Sequence, residues 1–363
     1  MPLVANSGLP TFERLRADGV TVLKKGRAKQ QDIRELHIGL LNMMPDAALA
    51  ATERQFFRLV GESNPIAQFH MHPFTLPEIP RSEKARQHVD QYYEDFDQLR
   101  EKGLDALIIT GANVTQPDLQ LEPFWKPLKA VFAWADKNVT SVLCSCLATH
   151  AALQLFHGQK RRHLGDKLWG VFDHRVVAKH HPLVNDVNTR FSVPHSRFNQ
   201  IDREMFDAAG LTVLVESETA GVHLAVSADQ LRRVYFQGHP EYDTISLLKE
   251  YKREVLRYQQ GERDEYPPFP ENYLDATSQA IFLEYRDRAA TALRRDQPLP
   301  EFPEALVAPR IDNTWHDTGE AIVGNWIGLV YQVTHADRRK PFMEGVDPDD
   351  PLRLLSPDPR HSP

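Results

Sequence analysis

Cys146, His239 and Glu241 are the residues whose types, order and surroundings could carry out covalent acyl transfer. The segment SVLCSCLATHAAL puts Cys146 at the end of an apolar run and at the start of a helical pattern. A thiol there stands on a strand-to-helix turn, beside the first N–H groups of a helix. The attacking species is the thiolate, and the positive end of a helix beginning at Leu147 favours it. Further on, VYFQGHPEYD reads as a second strand ending in His239, with Glu241 two positions later. The imidazole is the ion-pair partner and general base in this reading, and the carboxylate orients it. A tetrahedral intermediate needs N–H donors for its oxygen. The Leu147 N–H and that of Gly111 in the TGAN turn are the candidates.

The elements that must hold these groups can be read from apolar runs and turn residues. LHIGLLNMMP is a buried strand over Leu36–Leu41, and DAALAATERQFFRLVG is a helix with Gly61 as its cap. IAQFHMHPF is a strand, HVDQYYEDFDQLREKG one helix closing at Gly103, and LDALIITGAN a strand apolar throughout. FWKPLKAVFAWADKN is a helix, TSVLCSC a strand, and LATHAALQLFHG a helix ending at Gly158. Strand and helix alternate, so the fold class is α/β. We expect a mostly parallel sheet with helices on both faces and the site at the strands' carboxyl ends. Gly111, Cys146 and His239 each follow such an end.

Residues 1–35 read as an N-terminal arm, 36–262 as the catalytic α/β domain, 263–345 as an extension packing on it, and 346–363 as a disordered tail. The Pro-rich stretches begin after Gly261. The formal charge of −7, without a long basic block, argues against nucleic acid. No apolar run reaches the length of a membrane span, and no secretory leader is visible. Two cysteines in 363 residues do not make a disulfide framework. These features suit the cytoplasm.

No metal site is expected. Cys144 reads as a buried strand residue, and C-x-C does not repeat at ligand spacing. His180 and His181 fall in a surface turn, and His70 and His72 mark one polar face of a strand.

The segments LNMMPDAALAATERQFFRLVG, LIITGAN…FW, CLATHAAL, PHSRF and GHPEYD occur in an order and spacing that resembles the homoserine O-succinyltransferase/O-acetyltransferase family of methionine biosynthesis. The resemblance covers about residues 36–260 and resumes weakly at WHDTGEAIVGNWIGLVYQVT. It implies a class I glutamine amidotransferase-like fold with a flavodoxin-like core. It also implies ping-pong transfer of a succinyl group from succinyl-CoA to L-homoserine through an acyl-Cys146 thioester. Acyl-CoA is then a co-substrate, and no cofactor is expected. Family members are often dimers, so a homodimer is implied.

By the same resemblance Lys167 in LGDKLWG binds substrate, Arg253 in EYKREV binds the amino-acid substrate, and Ser196 in PHSRF stands at the acyl site. Arginine suits a carboxylate because it can make two hydrogen bonds to it. Thr115 occupies the position that sorts acyl donors, glycine in many succinyl-transferring members and glutamate in many acetyl-transferring ones. An uncharged threonine favours succinyl, since a glutamate would face the donor's distal carboxylate. Leu147 stands where many members have tryptophan, and the segment near 270–310 has no counterpart in the pattern.

An acetyl donor or a serine acceptor is the alternative within the family, because one methylene gives weak discrimination. A glutamine amidotransferase-type hydrolase is more remote. It would want glycines two before and two after the nucleophile, where this chain has Cys144 and Ala148.

Overall fold

Leu36, Ile38, Leu40 and Leu41 are all essentially inaccessible to solvent. A strand apolar on both faces belongs inside a sheet covered on both sides. The computed structural model, which describes residues 3–29, 34–63 and 67–355, places them there. The strands in chain order are β1 (Leu3–Ala5), β2 (Val22–Lys24), β3 (Glu35–Leu41), β4 (Gln68–Phe74), β5 (Ala106–Ile109), β6 (Ser141–Ser145), β7 (Arg162–Val176), β8 (Arg190–Gln200), β9 (Thr212–Ser217), β10 (Gly221–Val226) and β11 (Arg233–Phe236). Among the described residues they form one sheet of eleven strands in the order β2-β1-β4-β3-β5-β6-β11-β10-β9-β7-β8.

The sheet has two halves. From β2 to β11 every pairing is parallel. From β11 outward through β10, β9, β7 and β8 every pairing is antiparallel. Helices Asp46–Glu62 and Trp125–Asn138 connect parallel strands, as parallel pairing requires. Successive residues of β5 serve opposite faces. Ala106 and Ile108 join the core beneath Asp46–Glu62 and the helix His316–Val333, whereas Leu107 and Ile109 join the core beneath Trp125–Asn138 and Leu147–His157.

Several expectations are corrected. The N-terminal arm does more than lie over the main domain, since Leu3 and Val4 are fully buried and β1 pairs with β2 and β4. Gly61 does not cap its helix but lies within it, packed on Leu3. The stretch from His88 to Gly103 is not one helix. Helix Glu83–Tyr92 ends where the Tyr93 hydroxyl turns inward to Glu53, and Asp95 caps a new helix, Phe96–Lys102. The expected tail is ordered through Leu355, where Asp350 is buried and accepts from the Leu354 N–H. Residues 356–363 lie outside the described residues. His70 and His72 are not a solvent-facing strip, because β4 is an interior strand and both are over nine-tenths buried.

In the C-terminal extension, helix Ala276–Arg294 packs on helix Ser246–Gln259, with Phe282 against Tyr251 at 5.1 Å between centroids. Glu271 exchanges backbone hydrogen bonds with Trp169 and Val171 of β7. Among the described residues, no helix is long and apolar enough to cross a membrane.

Candidate active site

Cys146 follows β6 directly and is the N-cap of helix Leu147–His157, with φ of 53° and ψ of −108°. A non-glycine residue rarely holds such a backbone, at a cost of about 1–3 kcal/mol. The surroundings enforce it. The Cys146 N–H donates to the Phe236 carbonyl at 2.8 Å, and the Thr149 hydroxyl reaches the Cys144 and Phe236 carbonyls at 2.9 and 2.8 Å. The chain thus makes a tight nucleophile turn without flanking glycines. Gly111 lies alongside, near enough that a Cβ on it would stand 3.8 Å from that of Cys146. Leu147 opens the helix, so its N–H is one of the donors with no intrahelical acceptor.

His239 follows β11, which pairs in parallel with β6. Its N–H donates to the Pro194 carbonyl. The residue before it must be glycine, because a Cβ on Gly238 would meet Val193, His195 and His223 at 2.5–2.8 Å. His239 Nδ1 and Glu241 Oε1 are 2.8 Å apart, both side chains buried. An acceptor-only carboxylate there makes Nδ1 the donor and leaves Nε2 for chemistry. Nε2 is buried and faces Cys146. Burial lowers the imidazole pKa, but the charges of Glu241 and then Cys146 outweigh it and raise the value to about 10. The imidazolium is therefore the favoured form of His239, and Cys146 lies within its electrostatic reach. The guanidiniums of Arg161 and buried Arg197 also lie within electrostatic reach of Cys146.

A second constellation lies beside the first. Glu250 on helix Ser246–Gln259 accepts from Ser196 Oγ at 2.6 Å, Lys167 Nζ at 3.0 Å and Tyr242 Oη at 2.7 Å. Lys167 comes from β7 and Ser196 from β8. The lysine also sits 4.3 Å over the Trp169 ring. Burial pushes the Glu250 carboxyl up, yet Lys167, Ser196 and Tyr242 together hold it below the usual value. Tyr242 stacks on His239 with centroids 4.3 Å apart, and so connects the two groups.

Thr115 lies in the loop after β5. Its N–H and that of Gln116 both donate to Glu122 Oε1, at 2.6 and 2.7 Å. Arg161 Nη2 donates to the Gln116 carbonyl at 3.2 Å, and its buried Nε has no partner among the described residues. A guanidinium therefore braces the loop that carries Thr115 and retains hydrogen-bonding capacity.

A family model described as homoserine O-succinyltransferase matches residues 2–336. The chain belongs to this family of acyltransferases. It is 66% identical to a homoserine O-succinyltransferase from Nitrosococcus oceani, covering 98% of this chain and 100% of that one. It is 68% identical to one from Thioalkalivibrio nitratireducens, covering 97% and 99%. Among solved structures it is similar to a glutamine amidotransferase from Thermotoga maritima, at 11% identity, 82% and 98% coverage and a TM-score of 0.46.

Within this homoserine O-succinyltransferase family chain, the fold gathers Cys146, Gly111, Leu147, His239 and Glu241 at the carboxyl ends of β5, β6 and β11. It joins Lys167 to Ser196 through Glu250. Arg253 stands apart. It lies one turn beyond Glu250, 52% exposed, with Glu254 at 3.5 Å. Glu250, Tyr242, Glu122 and Arg161 are missed by the sequence reading. Tyr242 lies within GHPEYD and Glu250 three residues before Arg253, which are the only local signals for them.

Proposed function

We propose that the chain transfers a succinyl group from succinyl-CoA to the hydroxyl of L-homoserine, a step of methionine biosynthesis, through an acyl-Cys146 thioester. The observation that carries this reading is the imidazole of His239, held by Glu241 and charged in the presence of Cys146.

In the first half-reaction the Cys146 thiolate forms a bond to the thioester carbonyl carbon. N–H groups at Leu147 and Gly111 receive the developing oxyanion. The bond to the CoA sulfur then breaks, and that sulfur takes the His239 proton. Acylation removes the negative charge of Cys146, which is one of the two charges that raise the His239 pKa. The imidazole, which has given its proton to the CoA sulfur, then holds a proton less strongly when a base is needed. In the second half-reaction His239 takes the hydroxyl proton of homoserine, whose oxygen bonds to the carbonyl carbon. The bond to Cys146 breaks, and the thiolate–imidazolium pair is restored. Thioester exchange is nearly isoenergetic, and the ester forms from an activated acyl group.

Lys167, Ser196 and Arg253 take the acceptor and acyl ends of the site, with Glu250 and Tyr242 fixing Lys167 and Ser196. Thr115 bears on the acyl chain, and Arg161 supplies the cation that a distal carboxylate needs. A cytoplasmic location suits a nucleophile that must remain a free thiol.

The test is intact-mass analysis after mixing with succinyl-CoA alone. One succinyl group should appear on Cys146 and be absent from Cys146→Ser. Labelling at another residue, or equal labelling of the variant, overturns the mechanism. Pairing succinyl-CoA or acetyl-CoA with homoserine or serine then fixes donor and acceptor.

A further inference from the structure

At the other end of β3 and β4, three electron-pair donors converge. Glu35 and His37 stand on β3, and His70 stands opposite His37 on β4. His37 Nε2 lies 3.4 Å from one Glu35 oxygen, and His70 Nε2 lies 3.5 Å from the other. One ligand atom from each residue falls within 4.8 Å of the others. The His37 and His70 rings are stacked, 4.7 Å apart and 12° from parallel. His70 is 6% exposed, and its Nε2 makes no hydrogen bond among the described residues.

Glu94 pairs with His72 Nδ1, and His72 Nε2 lies 2.8 Å from His37 Nδ1. His37 Nε2 faces Glu35. A carboxylate–histidine chain behind a ligating imidazole is how proteins fix the tautomer of metal ligands.

We propose that Glu35, His37 and His70 form a binding site for a divalent transition-metal ion of the zinc class, with Glu94 and His72 orienting His37. Two imidazoles and one carboxylate suit zinc and its first-row neighbours. Ligand bonds are about 2.0–2.1 Å, so one Glu35 oxygen and the two imidazole nitrogens would draw together around the ion. A fourth position stays open for water. The site ties the starts of β3 and β4 together, whereas Cys146 lies at the strands' far ends, so its role is structural. Arg338 stands near enough to oppose a cation.

The test is calorimetric titration of chelator-treated full-length protein with zinc chloride, with the thiols blocked by iodoacetamide so that Cys146 cannot contribute. One equivalent should bind and raise Tm by several degrees. Glu35→Gln, at a 40% exposed side chain, should weaken binding more than about tenfold, and His70→Gln should abolish it. His316→Ala removes the histidine of the other acidic cluster, Glu62–His316–Glu320, and should change nothing. The proposal is overturned if the blocked protein binds no zinc, or if binding survives Glu35→Gln at full strength or disappears with His316→Ala.

Discussion

The Tyr242 ring lies on the His239 imidazole, planes 18° apart, while its hydroxyl bonds to the buried Glu250 carboxylate at 2.7 Å. One side chain thereby joins the proton-transfer group to the constellation that holds Lys167 and Ser196. Tyr242→Phe keeps the stack and removes one hydrogen bond to a charged group, worth about 1.5–3 kcal/mol. Transfer from acyl-enzyme to homoserine should slow by about tenfold or more, while loading of Cys146 from the donor changes little. Single-turnover measurement of the two half-reactions checks this, and equal losses in both would refute the division of labour.

The His239 value of about 10 fixes the sign of the alkaline pH dependence. The imidazolium persists below that value and is lost as pH rises through it. Loading needs its proton for the departing CoA, so the loading rate should fall as pH rises through about 10. Glu241 supplies the largest upward influence, so Glu241→Gln should move this limb to lower pH. A stopped-flow pH profile of CoA release reads the shift, and an unmoved limb counts against an electrostatic role for Glu241.

Donor choice should respond at Thr115 and at Arg161, which braces the loop that carries it. Thr115→Glu brings a negative charge towards the distal carboxylate of a succinyl donor. The ratio of kcat/KM for succinyl-CoA over acetyl-CoA should drop about tenfold, equivalent to about 1.4 kcal/mol. Arg161→Ala should lower the same ratio, because it removes the cation beside Gln116. Steady-state kinetics with both donors decides, and unchanged ratios would dismiss the charge argument.

Gly238 offers a packing test. An added methyl would collide with Val193, His195 and His223, and overpacking of this kind costs about 1–3 kcal/mol. Gly238→Ala should lower Tm and displace His239, so activity should fall further than the loss of stability explains. Calorimetry and acyl loading on the same preparation test the pairing, and a variant with wild-type Tm would show that the neighbours yield.

Cys146 and His239 are legible in the sequence because each follows an apolar run, which a parallel sheet turns into a position at its functional edge, and Glu241 is read from its place two residues after His239. Glu250 is not, since within LLKEYKREV a glutamate reads as a solvated helix residue. Its meaning depends on Lys167 and Ser196 arriving from other strands. β1 escapes notice because three residues are too few to show a period. That omission hides the fate of β4 as well. Without a strand on its far side, His70 and His72 look like a polar surface rather than a buried cluster.

The position of β11 has a consequence for how the enzyme comes into being. It is the last strand to be synthesised, yet it lies between β6 and β10 and joins the two halves of the sheet. Cys146 is made long before its partner, and its backbone turn leans on the carbonyl of Phe236, which ends β11. A growing chain that has not reached β11 thus carries two unjoined sheets and a cysteine without its histidine. Such non-local pairing is slow to form. Insertion of this one strand closes the sheet and brings His239 to Cys146 in the same step.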